Sequence, residues 1–187
     1  MNTEFTQDWF SQNIPIWQAI IGPKKGNAIN ALEIGCFEGR ATCWLLDNVL
    51  TSPESHITCV DTFHSDEELK DIDFGKVKER FIHNTSPYGG KVSLVVDTSE
   101  NYLRHTAQQF SLIYIDGSHM APDVLTDAVL AHRTLEKGGI MVFDDYLWTG
   151  LGKLVRSPKM GIDAFLDCFG HLYTPLSIGY QVIICKK

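Results

Sequence analysis

Short apolar segments alternate with longer amphipathic segments along most of the chain. The apolar segments hold about five residues each without strict alternation of apolar and polar positions, at residues 31–35, 57–61, 92–96, 112–116 and 140–144. Continuous apolar runs of this length are typical of strands that are covered on both faces, as in a parallel sheet. The pattern therefore predicts five parallel strands at the centre of the fold.

The segments between the predicted strands have the periodicity of helices. Four helices are predicted, at residues 40–50, 66–81, 99–108 and 122–135. The last has Pro122 in its first turn and ends before Gly138, which are the expected signals for the start and the end of a helix. Strands that alternate with helices predict an α/β, doubly wound sheet.

The two ends of the chain depart from this alternation. Residues 172–178 and 181–186 are strand-like, but only two residues separate them, which is too few for a parallel crossover. They are therefore predicted to form an antiparallel hairpin. Residues 1–22 are predicted to be a helical extension that packs over the sheet, covers a pocket or contributes to a homodimer. Its aromatic side chains are Phe5, Trp9, Phe10 and Trp17.

Composition narrows the class of protein. The length of 187 residues suits a single domain. The net charge of −7, without any run of Lys or Arg, argues against binding to nucleic acid or to an anionic membrane. Five cysteines without C-x-x-C spacing indicate free thiols in a reducing compartment. With no signal-peptide pattern at the N-terminus, the expectation is a cytoplasmic protein.

Acidic residues mark the ends of the predicted strands. In an open parallel sheet, ligands bind outside the carboxyl ends of the strands. Four of the five predicted strands end in aspartate, at Asp61, Asp97, Asp116 and Asp144, and the first carries Glu33 near its end. One aspartate in such a place is usually a turn or cap residue. Four in one sheet predict a binding edge lined with carboxylates.

The glycine turn after the first predicted strand helps to distinguish between possible ligands. Gly35 and Gly39 form G-x-x-x-G rather than the G-x-G-x-x-G of dinucleotide sites, and Glu38 lies inside the turn. Carboxylates there would repel a pyrophosphate. S-adenosylmethionine, with a sulfonium and an amino group, matches the acids better. In this interpretation Asp61 binds the ribose hydroxyls and Asp97 binds the adenine amine.

Several ordered motifs resemble those of class I S-adenosylmethionine-dependent methyltransferases, in particular the small O-methyltransferase-like branch. The motifs are L-E-I-G-C-F-E-G-R-A-T, V-D-T-F, V-V-D-T-S, Y-I-D-G-S-H and G-G-I-M-V-F-D-D-Y. The resemblance covers about residues 28–187, the predicted catalytic core, and it implies a Rossmann-like sheet of seven strands with an antiparallel last strand. It also implies a set of cofactor contacts along the turn and the strand ends. The residues implied by the resemblance are Glu33, Gly35, Gly39, Asp61 and Asp97. The predicted cofactor site also includes Cys36, Glu38, Thr62, Thr98 and Asp116, which belong to the same turn and strand ends.

A divalent cation is predicted beside the cofactor. Asp116, Asp144 and Asp145 end two predicted strands that are expected to be neighbours, and unpaired carboxylates in one place repel each other. Magnesium prefers carboxylate oxygens and would relieve that repulsion. By the resemblance to metal-dependent O-methyltransferases, the metal would bind a substrate hydroxyl and lower its pKa. In the alternative, Asp145 caps a turn and Asp144 pairs with Lys153 or Arg156.

His119 is the candidate general base, and Asp116 is assigned to the catalytic site with it. His119 follows Asp116 by three residues, and an imidazole titrates near neutral pH, as a general base should. The alternative is a structural histidine that holds the loop. The acceptor pocket is predicted from Tyr146, Trp148 and Arg156, with ordinary packing as the alternative.

The sequence thus predicts an enzyme that methylates a hydroxyl of a small molecule, such as a sugar or a secondary metabolite. Three alternatives stay open: an NAD(P)-dependent oxidoreductase, a protein that binds S-adenosylmethionine without turnover, and a methyltransferase acting on nitrogen or on a macromolecule. The chain has neither N-P-P-Y nor D-P-P-Y, a signature of amino-group methylation. The polar insert at residues 63–75 is predicted to be either a lid or a solvated connection.

Overall fold

The structure, a computed structural model, describes residues 3–64, 69–149 and 157–187. Its strands are β1 (Asn30–Ile34), β2 (His56–Asp61), β3 (Val92–Val96), β4 (Phe110–Ile115), β5 (Leu135–Phe143), β6 (Tyr173–Ile178) and β7 (Val182–Lys186). They form one seven-stranded sheet in the order β3-β2-β1-β4-β5-β7-β6. Strands β1 to β5 are parallel, and β7 is antiparallel to both β5 and β6. The prediction of five parallel strands followed by an antiparallel hairpin is confirmed.

Helices cover both faces of this sheet. They are α1 (Ile14–Ile20), α2 (Arg40–Asn48), α3 (Phe74–Thr85), α4 (Ser99–His105), α5 (Ala121–Thr134) and α6 (Pro158–Phe169). On one face, Trp17 of α1, Leu45 of α2 and Phe81 of α3 join one buried cluster. On the other face, α4, α5 and α6 contribute to a second cluster. Within the residues that the structure describes, no helix is both long and apolar enough to cross a membrane.

Helices α3 and α6 depart most from the prediction. Helix α3 begins at Phe74, because the side chain of Asp73 accepts hydrogen bonds from the backbone N–H groups of Gly75 and Lys76 and caps its first turn. The predicted start, at residues 66–68, lies outside the described residues. The sequence prediction lacks helix α6, although Pro158 in its first turn is a start signal.

The N-terminal segment is helical over less than its predicted length. Helix α1 is flanked by 3-10 turns at Ser11–Asn13 and Gly22–Lys24, whereas residues 3–10, the N-terminal strap, are not helical. The backbone N–H of Thr6 donates to Glu38 at 2.6 Å, and that of Glu4 donates to Asn84 at 2.7 Å. Because distant side chains accept these bonds, the strap lies across the core instead of continuing the helix.

Candidate active site

The carboxyl ends of the five parallel strands border one large cavity of about 1190 Å³. Among the described residues, its lining includes no lysine or arginine and eight carboxylates, those of Asp61, Asp97, Glu100, Asp116, Asp123, Asp127, Asp144 and Asp145. Such a concentration of acids in a cleft produces a negative potential and attracts cationic ligands. The aspartates predicted from the strand ends therefore do meet around one cavity.

Gly35 lies where β1 ends and the glycine turn begins. Its φ of +79° is in the left-handed region, and a Cβ there would lie 2.1 Å from the carbonyl oxygen of Asp116. Glycine is thus what allows the turn to approach the end of β4 at the cavity wall. Gly39, with a φ of +81°, precedes α2, and a Cβ there would meet the ring of Phe81 at 3.1 Å. Gly35 lines the cavity, whereas Gly39 packs against α3 instead.

Asp61 ties the glycine turn to the end of β2. Its Oδ2 accepts hydrogen bonds from the backbone N–H groups of Cys36 at 2.9 Å and Phe37 at 3.0 Å. Its Oδ1 accepts a third bond, from Phe63 at 2.7 Å. Asp61 and Thr62 both line the cavity, while Cys36 is buried and contributes nothing to its wall. A ribose at this wall would therefore meet a carboxylate that the backbone already holds in place.

Asp97 and Thr98 line the cavity at the end of β3. The Oδ1 atom of Asp97 accepts from the backbone N–H of Thr98 at 2.7 Å, and its Oδ2 accepts from the side-chain amide of Asn101 at 2.5 Å. The side chain of Thr98 caps α4 by accepting from the backbone N–H of Asn101 at 3.2 Å. The start of α4 thereby fixes the position of Asp97 at the cavity wall.

Glu33 is buried beneath the cavity rather than exposed in it. Its side chain is 1% exposed. One carboxylate oxygen accepts a hydrogen bond from Thr42 Oγ1 at 2.5 Å and another from Cys59 Sγ at 3.7 Å. Burial raises the pKa of Glu33 to about 8. The structure thus gives this predicted cofactor contact a position inside the core, against α2.

Glu38 also faces away from the cavity. Its carboxylate accepts from the backbone N–H of Thr6 at 2.6 Å, from Thr6 Oγ1 at 2.7 Å and from Arg80 Nη1 at 2.9 Å. The Glu38 carboxylate is 1% exposed and the Arg80 side chain 28% exposed, so the ion pair is buried on its acidic side, where the two donors of Thr6 reinforce it. Glu38 therefore fastens the N-terminal strap and α3 to the glycine turn, and it does not line the cavity.

The hydroxyl of Tyr114 lies between two of the strand-end carboxylates. It bonds to Asp116 Oδ2 at 2.8 Å and to Asp144 Oδ2. A phenol has one proton to donate, so one of the two contacts requires a protonated carboxyl. Burial, together with the nearby carboxylates of Asp144 and Asp145, raises the pKa of Asp116 well above its usual range. Burial and Asp145 raise the pKa of Asp144 to about 6. Asp116 and Asp144 therefore share one proton around the Tyr114 hydroxyl.

Asp145 is turned towards His119. The Oδ2 atom of Asp145 lies 2.8 Å from His119 Nε2, and its Oδ1 accepts from the hydroxyl of Tyr180 at 2.8 Å. The φ of Asp145 is +57°, a conformation that directs its side chain differently from that of Asp144. The ring of Trp148 lies 4.3 Å from that of His119, centroid to centroid. His119 is therefore held on two sides at the cavity wall.

The three aspartates predicted to bind magnesium do not form a metal site as they are arranged. They border a small pocket of about 10 Å³, room for one water molecule. Two of them share the hydroxyl of Tyr114, and Asp145 accepts from Tyr180 and faces His119. Magnesium requires octahedral oxygen ligands. In the described part of the chain, no group of three or more His, Cys, Asp and Glu side chains could hold a metal ion.

Several residues at the site were not predicted from the sequence. Tyr114 had a usable signal, because it lies two positions before Asp116 in the same strand and therefore shares a face with it. Trp9, predicted only as part of an extension that could cover a pocket, lines another part of the cavity together with the unpredicted Phe37, whose ring lies 4.9 Å away. Of the predicted acceptor residues, Trp148 lines the cavity, and Tyr146 is turned away to donate to Asp163. Arg156, like Lys153, lies outside the described residues.

Residues 32–146 match the family model of a methyltransferase domain. The chain belongs to this family. The matched region is more than half of the chain, and it contains the glycine turn, the strand-end aspartates and His119. Helix α1 and the C-terminal hairpin of the methyltransferase lie outside the matched region.

Solved structures of methyltransferases share this fold. The O-methyltransferase TomG from Streptomyces achromogenes, solved in complex with SAM, is 14% identical, with a TM-score of 0.70 over 96% of this chain and 82% of TomG. The O-methyltransferase from Bacillus cereus, in complex with SAH, is 16% identical, with a TM-score of 0.69 over 98% and 84% of the two chains. The N-methyltransferase NodS from Bradyrhizobium japonicum WM9, in complex with SAH, is 16% identical, with a TM-score of 0.65 over 97% and 89%.

No curated protein matches the sequence. At these low identities, the likeness to solved structures shows a shared fold. The fold and the family match together identify the chain as a class I S-adenosylmethionine-dependent methyltransferase. The alternative of an NAD(P)-dependent oxidoreductase does not agree with the family match.

Proposed function

We propose that the methyltransferase transfers the methyl group of S-adenosylmethionine to a hydroxyl oxygen of a small molecule. The bond from sulfur to the methyl carbon breaks as the bond from oxygen to that carbon forms. The products are a methyl ether, S-adenosylhomocysteine and a proton. The observation that carries the proposal is the meeting, at one edge of the sheet, of an acidic cavity and the His119–Asp145 pair. The likeness to two O-methyltransferases supports oxygen as the acceptor atom.

The cofactor end of the cavity is assigned to the ends of β1, β2 and β3. Gly35 lets the backbone approach the ligand, the pair Asp61–Thr62 faces the ribose, and the pair Asp97–Thr98 faces the adenine. The carboxylates around the cavity attract the sulfonium and the amino group of the ligand. The remaining predicted contacts lie on the side of the glycine turn that faces the core. They are Cys36, Gly39 and the two buried glutamates, Glu33 and Glu38.

The acceptor end of the cavity is assigned to the ends of β4 and β5. His119 takes the proton of the acceptor hydroxyl as the oxygen attacks the methyl carbon. The Asp145 carboxylate lies 2.8 Å from Nε2 of His119 and holds the imidazole in place at the cavity wall. The Asp145 carboxylate also stabilises the imidazolium that forms. Asp116 lies beside the small pocket next to His119, where the acceptor oxygen is assigned.

A binding experiment tests the cofactor assignment. Isothermal titration should show heat of binding for S-adenosylmethionine and S-adenosylhomocysteine and none for NADH. Binding of NADH alone would overturn the proposal in favour of an oxidoreductase. Tight binding of S-adenosylhomocysteine, without turnover of any acceptor, would identify a protein that holds the cofactor without catalysis.

An acceptor screen tests the reaction. S-adenosylmethionine labelled in its methyl group is incubated with sugars, phenols, secondary metabolites and amines, and label is expected in a hydroxyl compound. His119→Ala should lower kcat by about 100-fold or more and leave the Kd of S-adenosylmethionine unchanged. His105→Ala is the matched control, because His105 is exposed and bonds to a backbone carbonyl of its own helix. Full activity of His119→Ala, or label in amines only, would contradict the proposal.

Metal dependence is a separate question with its own test. The carboxyl groups of Asp116, Asp144 and Asp145, as arranged, do not fit magnesium, so the proposed reaction includes no metal ion. Turnover is expected to be the same with a chelator as with added magnesium. A loss of turnover in chelator that magnesium restores would mean that the three aspartates rearrange around a cation.

A further inference from the structure

A chain of buried hydrogen bonds connects helix α1 to the acceptor end of the cavity. Trp17 Nε1 donates to Gln181 Oε1 at 2.6 Å, and Gln181 Nε2 donates to Asp144 Oδ2 at 2.8 Å. Trp17, Gln181 and Asp144 are 0%, 4% and 8% exposed. The ring of Trp17 also meets that of Tyr114, the other partner of Asp144, at a centroid distance of 4.8 Å. Helix α1 is therefore connected to Asp144 in two ways, through the hydrogen bonds of Gln181 and through the ring contact with Tyr114.

We propose that Trp17 and Gln181 are positioning residues for Asp144, a role that rests on the proposed function. An indole N–H can only donate, so Trp17 requires the amide oxygen of Gln181 to face it. The amide nitrogen of Gln181 must then face Asp144, where it donates to the carboxylate. Without the indole, the amide could rotate and present its oxygen to Asp144, which would repel the carboxylate.

The position of Asp144 matters because it sets the geometry of the acceptor end. Asp144 Oδ2 receives the bonds of both Gln181 and Tyr114, and Tyr114 in turn contacts Asp116. A shift of Asp144 would therefore displace Asp116 beside the pocket for the acceptor oxygen. Trp17 and Gln181 both lie outside the matched family region, at opposite ends of the chain. The residues that hold Asp144 in position therefore come from segments near both ends of this chain.

The test uses variants that separate the two hydrogen bonds. Gln181→Met keeps the length of the side chain and removes both bonds. Gln181→Glu keeps an acceptor for Trp17 and replaces the amide donor to Asp144 with a second carboxyl group, which competes with Asp144 for a proton. Both variants are expected to lower kcat by about 10- to 100-fold, as a small misplacement of a reacting group does, with an unchanged Kd for S-adenosylmethionine by titration. Gln109→Met, at an exposed position outside the cavity, is the matched control.

A second measurement reports the geometry without any acceptor. In protein labelled with ¹⁵N-tryptophan, the indole resonance of Trp17, assigned from Trp17→Phe, should exchange slowly with solvent because its N–H is buried and bonded. Gln181→Met should shift that resonance and speed its exchange, and Gln181→Glu should preserve it. The three variants are compared with the parent protein by thermal unfolding.

The outcomes distinguish this inference from the proposed function. If the parent protein binds the cofactor and methylates, but the Gln181 variants lose only thermal stability and keep kcat within about twofold, the positioning role is overturned and the function stands. If the Trp17 indole exchanges as fast as an exposed one, the positioning role is likewise overturned. If the parent protein does not bind S-adenosylmethionine, the function fails, and the positioning role fails with it.

Discussion

The substitution Glu33→Gln is expected to stabilise the protein above neutral pH and to change it little near pH 5. The Glu33 carboxyl is 1% exposed, and it accepts from Thr42 and Cys59. No lysine, arginine or histidine pairs with it among the described residues. A glutamine amide can still accept the Thr42 bond through its oxygen, and it never carries a charge. The variant therefore removes one titration and keeps the shape of the core.

The size of the effect follows from the difference between the two pKa values of Glu33. Burial raises the folded-state pKa to about 8, from an ordinary value of 4.5. Between these values the folded state keeps the proton that the unfolded state has lost, so the free energy of unfolding falls as pH rises. One pKa unit corresponds to about 1.4 kcal/mol. The full difference corresponds to about 5 kcal/mol, lost between about pH 4.5 and about pH 8.

Urea unfolding of the parent protein and of Glu33→Gln, measured from about pH 5 to about pH 9, checks this magnitude. The difference between the two free energies of unfolding isolates Glu33, because Asp116, Asp127 and Asp144, whose pKa values are also raised, titrate in both proteins. The free energy of unfolding of Glu33→Gln minus that of the parent protein should increase by up to about 1.4 kcal/mol per pH unit and become constant above about pH 8. Glu54→Gln, at an exposed position, should give a flat difference. A flat difference for Glu33→Gln would refute the reasoning.

Three further substitutions test other parts of the structure. Glu38→Ala, which leaves the backbone N–H of Thr6 without its acceptor and removes the ion-pair partner of Arg80, should lower the free energy of unfolding by about 1–3 kcal/mol and speed cleavage of the N-terminal strap by chymotrypsin, whereas the exposed Glu100→Gln should cost less than about 1 kcal/mol. Gly161→Ala places a Cβ 2.4 Å from a backbone oxygen of α5 and should lower the melting temperature, whereas Gly170→Ala, with no atom within 4 Å of its Cβ, should not. Gly35→Ala places a Cβ 2.1 Å from the carbonyl oxygen of Asp116, so the glycine turn has to move at the cavity wall, and S-adenosylmethionine binding should weaken by at least about tenfold; titration with unchanged affinity would contradict the role of the glycine turn.

The sequence predicted the sheet well because each of its signals is local. A continuous apolar run predicts a strand covered on both faces, and the two-residue link between residues 178 and 181 excludes a parallel crossover. Helix bounds were less accurate where a side chain decided them. The capping of α3 by Asp73 moved its start towards the C-terminus, and bonds from the strap to Glu38 and Asn84 kept residues 3–10 out of the helix.

The sequence predicted which aspartates lie at the cavity, but it did not predict that Glu33 and Glu38 are buried away from it. The chain direction of parallel strands places Asp61, Asp97 and Asp116 at the same edge of the sheet, so their position in sequence was enough. Glu33 and Glu38 belong to the same stretch of sequence, yet the alternation of β1 and the bend of the turn direct them into the core. Which way a carboxylate points depends on the partners that surround it.

The sequence by itself determined the architecture, the acidic edge and the family, because periodicity, turn residues and strand ends act over a few residues. Only the tertiary structure decided which carboxylates face the cavity and which partners they have. Tyr114 between Asp116 and Asp144, and Trp17 against Gln181, join residues that are far apart in the chain. Burial then sets the protonation of those carboxyls, since the cost of a buried charge depends on the whole surrounding structure.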